Sequence, residues 1–175
     1  KMNFSNKSFD VIFTCHVLPY IEDFKTGFDE MKRVLKNDGK IIHIVPTTWW
    51  SIITNIWHFI FLPINILKFI KKDKSAKKRN QENKLNVNPN ILRVMNYIFL
   101  NPLGIHPSFF HEIYYFSDFH WKKLFTKYNF EIVNIKNTPF VYSGHNVFMN
   151  QFLKSRKFAS KIFPSSICYI LKKRD

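Results

Sequence analysis

The sequence predicts an open α/β sheet interrupted by a hydrophobic helical insertion, and three observations carry that. Residues 8–46, SFDVIFTCHVLPYIEDFKTGFDEMKRVLKNDGKIIHIVP, read as strand, amphipathic helix and strand. A unit of that length forms a right-handed crossover between two parallel strands. Residues 117–135 repeat the alternation as a helix and a strand, and SICYILK near the end reads as one more strand. That order is the signature of an open sheet with helices on both faces. Between the two halves lies IITNIWHFIFLPINILKFI, which is almost uninterrupted in its apolar character.

The first strand is expected over Phe9–Thr14. Its run Val11, Ile12, Phe13 fits a parallel strand covered on both faces. The helix is expected from Ile21 to Leu35, with Tyr20 packing at its entry. Phe24, Phe28, Met31, Val34 and Leu35 recur every three or four residues and share one face. Asn37-Asp38-Gly39 is expected to stop this helix, the glycine taking a left-handed backbone. Ile41–Val45 then forms the second strand, closed by Pro46.

The stretch SFDVIFTCHVLPYIEDF…FDEMKRVLKNDGKIIHIVP resembles the second half of a class I S-adenosylmethionine-dependent methyltransferase domain. The resemblance rests on a strand opening Phe-Asp, a helix ending Arg-Val-Leu-Lys, and the Asp-Gly that follows. It covers Phe4–Pro46, then Phe116–Lys136, and reaches weakly into the last ten residues. The resemblance implies the second half of a Rossmann-like methyltransferase sheet and S-adenosyl-L-methionine as cofactor. It places Thr14, Cys15, His16 and Val17, at the end of the first strand, beside the methionine and sulfonium region of that cofactor. Open α/β sheets bind ligands at the carboxyl ends of their strands, which favours the same turn independently. His16 is read as a lining residue, with general base as the alternative. The family often continues Leu-Glu-His; here Pro19 and Tyr20 take the last two places, so no acid–base role passes to them.

The resemblance also exposes what the sequence lacks. The family's Gly-rich turn has no counterpart: Gly27, Gly39, Gly104 and Gly144 are all solitary. The expectation is a single partial domain over residues 1–175, a fragment lacking the first three strands and inactive alone. Its implied partner is the missing N-terminal half of the domain. The strand at Phe9 would then keep an unpaired edge, which invites aggregation.

Residues 47–115 are expected to form a helical cap or insertion. Thr47, Trp49 and Trp50 follow the second strand and, by the resemblance, face the methyl acceptor; anchoring the next segment is the equal alternative for the tryptophans. Within residues 51–70, Ser51, Asn55, His58, Asn65 and Lys68 fall on one stripe at helical spacing, and Pro63 interrupts the helix. Three readings stand: a cap over the site, a helix in the membrane surface, and a spanning helix of borderline length. Lys71–Asn90 is basic and lacks apolar periodicity, so it reads as a solvated loop, or as a contact to anionic lipid. Ile91–Leu100 reads as a short buried helix.

His106, His111 and Glu112 cluster among aromatic residues and are taken as catalytic candidates on the acceptor side, a base there removing the acceptor's proton. Loop-fixing hydrogen bonds are the alternative. The two histidines lack the helical spacing of a zinc pair, so no metal is expected. Ser117 caps the next helix, Asn129 ends it, and Phe130–Ile135 is a strand. Tyr142 and His145, expected exposed, complete the substrate-side candidates. Val147–Phe163 is basic and amphipathic, a short helix, and Ser166–Lys172 is a strand antiparallel to its predecessor.

Composition narrows the class. The chain has 175 residues, 46% hydrophobic and 22% charged, with 20 Phe and a formal charge of +15. Such a composition is globular. The positive charge suits an anionic membrane surface. It gathers near Lys68–Lys84 and the two ends rather than in a recognition helix, so nucleic acid is not the expected partner. Cys15 and Cys168 stand apart without metal or disulfide spacing, which points to a reducing cytoplasm, with peripheral attachment at a membrane's inner face as a further reading. The expected function is methyl transfer to a small, lipid-linked or sugar-linked acceptor. The alternative is a non-catalytic membrane-surface or partner-binding module derived from the same fold.

Overall fold

The computed structural model describes residues 2–63, 103–105, 108–142 and 152–174. Strand β1 is Phe9–Cys15, helix α1 Phe24–Val34 and strand β2 Leu35–Pro46. Helix α2 runs over residues 48–63, α3 over Phe109–Tyr115 and α4 over Asp118–Lys127. Strand β3 is Phe130–Asn137, helix α5 Leu153–Ala159 and strand β4 Ser166–Lys173. The sheet order is β1-β2-β4-β3. β1 and β2 are parallel, as the crossover requires, while β4 lies antiparallel to both β2 and β3. The predicted open α/β sheet is therefore present, and the last strand is inserted between β2 and β3.

The helix stop differs from the expected one. α1 ends at Val34, and Leu35 is already extended. Gly39 is not left-handed; Gly104 is the one glycine with positive φ among the described residues. Instead, Lys36 to Gly39 bulge out of the ladder: Phe9 pairs with Leu35, but Val11 pairs with Lys40. Lys36 bridges the bulge to Asp10 at 2.9 Å. Gly39 is required by proximity, since a Cβ there would lie 2.7 Å from the Leu35 side chain and 3.1 Å from the Asp10 carbonyl.

α1 begins at Phe24, later than the expected Ile21, because Asp23 caps it, whereas Ser117 caps α4 as expected. The Asp23 carboxylate accepts from the Thr26 amide at 3.1 Å, and the Ser117 hydroxyl accepts from the His120 amide at 3.1 Å. Asn129 closes α4 in the left-handed region, φ +56°. Phe28, Met31 and Val34 bury the predicted face of α1. Phe28 and Met31 join Trp121, Phe125, Phe130, Tyr169 and Leu171 in one core. The Phe28 ring meets those of Phe130 and Phe125 edge-on at 5.3 and 6.3 Å. Both α1 and α4 thus pack on the sheet face that carries Ile41, His43, Tyr169 and Leu171.

β1 is not covered on both faces. Val11 and Phe13 are 51% and 61% exposed, because alternate residues of the strand point away from the α1–α4 face. β2 is the one neighbour of β1 among the described residues, so β1 forms a sheet edge. Tyr20, expected to pack at the helix entry, is exposed.

Candidate functional site

The carboxyl ends of β1 and β2 and the amino end of β4 meet at one rim of the sheet, because Pro46 pairs with Ser166. His16 continues the parallel ladder by donating its amide to the Ile44 carbonyl at 2.8 Å. It then turns the chain with φ +56°, a left-handed conformation that costs a non-glycine residue energy and marks sites where geometry is imposed. The turn aims the imidazole along the rim. Its Nε2 lies 2.9 Å from the Ser166 hydroxyl and 2.7 Å from the Tyr142 phenol. The phenol and the Ser166 hydroxyl also share a hydrogen bond. Tyr142 is held by its backbone as well: its amide donates to the Ser165 hydroxyl at 2.9 Å, and that hydroxyl donates back to the Tyr142 carbonyl at 2.8 Å. Ser165 and Ser166 are fully buried.

Burial determines the protonation states here. It lowers the His16 pKa below the ordinary imidazole value, so the ring is neutral near pH 7. It raises the Tyr142 pKa against the opposing effect of the Ser166 hydrogen bond, so the phenol keeps its proton. A neutral imidazole and a protonated phenol in contact can accept and pass a proton.

The other candidates from β1 differ in placement. Thr14 points into the core, where its hydroxyl shares a 2.5 Å hydrogen bond with Nδ1 of His43. Cys15 and Val17 are exposed at the rim, Cys15 as a free thiol. Thr47 is buried; its hydroxyl donates to the Pro164 carbonyl and accepts from the Trp50 amide at 3.2 Å, which caps α2. Trp50 packs toward the core ring of Phe116 at 6.3 Å. Trp49 is partly exposed, edge-on to Phe163 at 4.6 Å, and borders a cleft of about 420 Å³ with Ser117, Lys122, Asn137 and Lys161.

His111 and Glu112 occupy α3 and part company, as neighbours on a helix do. His111 is exposed; its Nδ1 lies 2.7 Å from the Ser108 hydroxyl, and it borders an apolar groove of about 480 Å³ with Leu18, Phe24, Tyr115, His120 and Trp121. Glu112 is buried and accepts from the Leu103 amide at 3.3 Å. Burial raises its pKa; the Leu103 amide and the nearby Ser51 hydroxyl, which lies outside hydrogen-bond geometry, oppose that. Gly104 holds this loop against the His16 turn: its φ is +76°, and a Cβ would lie 2.0 Å from the Pro19 carbonyl oxygen. His106 and His145 lie outside the described residues. Among the described residues no group of acidic, histidine or cysteine side chains could hold a metal ion.

Sequence reasoning named His16 and Tyr142 separately, and the fold brings them into contact. It missed Ser165 and Ser166. The available signal was two adjacent serines opening a strand whose amino end, if antiparallel to β2, falls at the carboxyl rim.

The rim can be tested against S-adenosylmethionine. His16, Tyr142 and Ser166 supply a polar wall at the carboxyl end of β1. Such a wall fits one side of the cofactor. The solitary glycines supply no cradle for its other side.

The opening segment is similar to a known family. Residues 1–43, which span β1, the His16 turn, α1 and most of β2, match the family model described as a methyltransferase domain. The resemblance read from the opening strand–helix–strand unit is thereby borne out. No curated protein matches the chain. Among solved structures, it is similar to an S-adenosylmethionine-dependent methyltransferase from Mesorhizobium loti, with TM-score 0.47 and 9% identity over 99% of this chain and 65% of that one. It is also similar to geranyl diphosphate C-methyltransferase from Streptomyces coelicolor, with TM-score 0.44 and 9% identity over 99% of this chain and 49% of that one. The chain spans about half to two thirds of the length of the solved structures it matches.

Proposed function

We propose that this chain forms the acceptor side of an S-adenosylmethionine-dependent methyltransferase. The single observation behind this reading is the His16–Tyr142–Ser166 cluster, seated where the matched segment leaves β1. When bound, the cofactor supplies an electrophilic methyl group whose sulfonium charge drives its own displacement. The chain's task is then positioning and proton management. Cys15, His16 and Val17 border the cofactor side, with Thr14 behind them on His43. Trp49 and Tyr142 border the acceptor side, with Thr47 and Trp50 behind them, and His145 is assigned there as well. A proton released at the Tyr142 oxygen meets a neutral imidazole 2.7 Å behind it. His106 and His111 keep their assignment to the acceptor side, while Glu112 turns inward to the Leu103 amide; the groove beside His111 is mainly apolar and aromatic, with Glu22 and Lys127 among its lining, which favours a small amphiphilic or lipid-linked acceptor.

A second reading, a non-catalytic binding module on the same half-sheet, is favoured by the exposed Val11 and Phe13. The test is transfer of labelled methyl from S-adenosylmethionine to extracted small molecules and lipids by the whole polypeptide that carries this chain. Calorimetric titration of the cofactor into the 175-residue chain runs beside it. Transfer that falls in His16→Ala and Tyr142→Phe supports the enzyme. Transfer indifferent to both substitutions, or its absence from the whole polypeptide, overturns it. Micromolar cofactor binding by the 175-residue chain would refute the expectation that this chain alone lacks a complete cofactor site.

A further inference from the structure

Helix α2 is built inside out. On a helix lying against a water-soluble domain, the apolar stripe faces the core and the polar stripe faces water. In α2 the buried positions are Ser51, Thr54 and His58, at intervals of three and four residues. The opposite stripe is Trp49, Ile53, Ile56 and Ile60, at intervals of four, three and four, and Ile56 and Ile60 are 53% and 55% exposed. The outward stripe does not end with the helix. Trp49 meets Phe163 edge-on at 4.6 Å. Through Phe163 the apolar surface passes to Ile162 and Phe158, both exposed, in and just after α5.

The charged side chains that α2 and α5 themselves bring to this surface carry one sign; Asp118, in the cleft beside Trp49, is paired with Lys122. Lys154, Lys157 and Lys161 are exposed and recur at intervals of three and four, forming a basic stripe along α5 and the turn after it. Neither residues 47–63 nor residues 152–163 contain an acidic side chain. A protein partner of ordinary surface would leave this combination half satisfied. An anionic bilayer satisfies both parts, because aromatic and branched side chains enter the boundary region while lysines meet lipid phosphates. Among the described residues no helix is long and apolar enough to cross a membrane.

We propose that the outward face of α2, joined through Trp49 and Phe163 to the Lys154–Lys157–Lys161 stripe, docks the protein on an anionic lipid surface. The inference does not depend on methyl transfer. It rests on the inversion of α2 and on the basic stripe of α5. It extends the surface beyond residues 51–70 to α5.

The experiment is flotation of the whole protein with phosphatidylcholine vesicles, with and without one quarter phosphatidylglycerol, at low and high salt. Two exposed-site variants accompany it: Ile56→Ser/Ile60→Ser, and Lys154→Glu/Lys157→Glu/Lys161→Glu, each checked for an unchanged circular dichroism spectrum. The expected result is partition onto the anionic vesicles only, weakened by salt, and reduced about tenfold or more in each variant. Equal partition to neutral vesicles, no partition to either, or binding indifferent to both variants would overturn the proposal. So would self-association in solution that Ile56→Ser/Ile60→Ser abolishes, which would assign the face to a second copy of the chain.

Discussion

The Tyr142 phenol lies 2.7 Å from Nε2 of His16, although 126 positions separate the two residues in the chain. Burial lowers the imidazole pKa from 6.5. The unfolded chain therefore binds the proton more readily, and the stability this group contributes is complete above pH 6.5 and lost as pH falls through the folded-state value. In a titration followed by NMR, the His16 ring should protonate below pH 6.5. Tyr142→Phe, which removes one hydrogen bond to Nε2, should displace that midpoint. A ring titrating at or above 6.5 would show that the cluster does not hold it neutral.

His43 offers a larger acid effect. It is wholly buried, stacked on Phe125 at 5.5 Å, and its pKa is pushed down to about 3 by burial. Its Nε2 is buried without a hydrogen-bond partner. The sign is the same as for His16: stability should fall as pH drops from 6.5 toward 3. His43→Phe keeps the stacking, removes the orphaned nitrogen and loses the Thr14 hydrogen bond. A lost bond costs about 1 kcal/mol and an orphan about 1–3 kcal/mol, so the variant should match or exceed the native stability at pH 7. Thermal midpoints measured from pH 7 to pH 3.5 should decline less steeply in His43→Phe. Parallel declines would refute this account.

Gly104 ties the α3 loop to the turn after β1. Alanine there meets a left-handed backbone, worth about 1–2 kcal/mol, and would place its Cβ 2.0 Å from the Pro19 oxygen. Because the clashing atom is backbone, relief requires the loop to move away. Urea denaturation of Gly104→Ala should show a loss above 1 kcal/mol, and protease cleavage near residues 103–105 should accelerate. A loss below 0.5 kcal/mol, on the order of an ordinary surface substitution, would show that the contact is dispensable.

Phe13 is 61% exposed on an edge strand, a combination that favours strand-to-strand association. Phe13→Lys places a charge on that edge without touching the core. Light scattering of the 175-residue chain at rising concentration should show later onset of aggregation in the variant. An unchanged onset would move the cause of association to another surface.

The opening strand, helix and strand were legible because their signals are local: the α1 face repeats every three to four residues. The Ser117 cap of α4 was legible for the same reason, whereas the Asp23 cap was passed over and α1 was read as starting at Ile21. The helix stop was misread because Asn37-Asp38-Gly39 has turn composition, while β1 pairs across it and draws Leu35 into the ladder. Gly39 is needed for closeness to Leu35 and Asp10, a requirement that exists only once β1 and β2 are side by side. The His16 turn was legible as a strand end. Its contact with Tyr142 and Ser166 was not, because it depends on β4 lying between β2 and β3. The stripe of Ser51, Asn55 and His58 was visible in the sequence. That Ser51 and His58 point inward, reversing the usual sense of such a stripe, could be learned only from burial.

β4 is the latest of the four strands to leave the ribosome, yet it occupies an interior place, with β2 on one side and β3 on the other. While translation is under way, β2 and β3 each wait with a row of unmet amides and carbonyls, and nothing joins them to each other. A nascent chain stalled before residue 166 would display two sticky borders at once, which makes it a natural client for a chaperone.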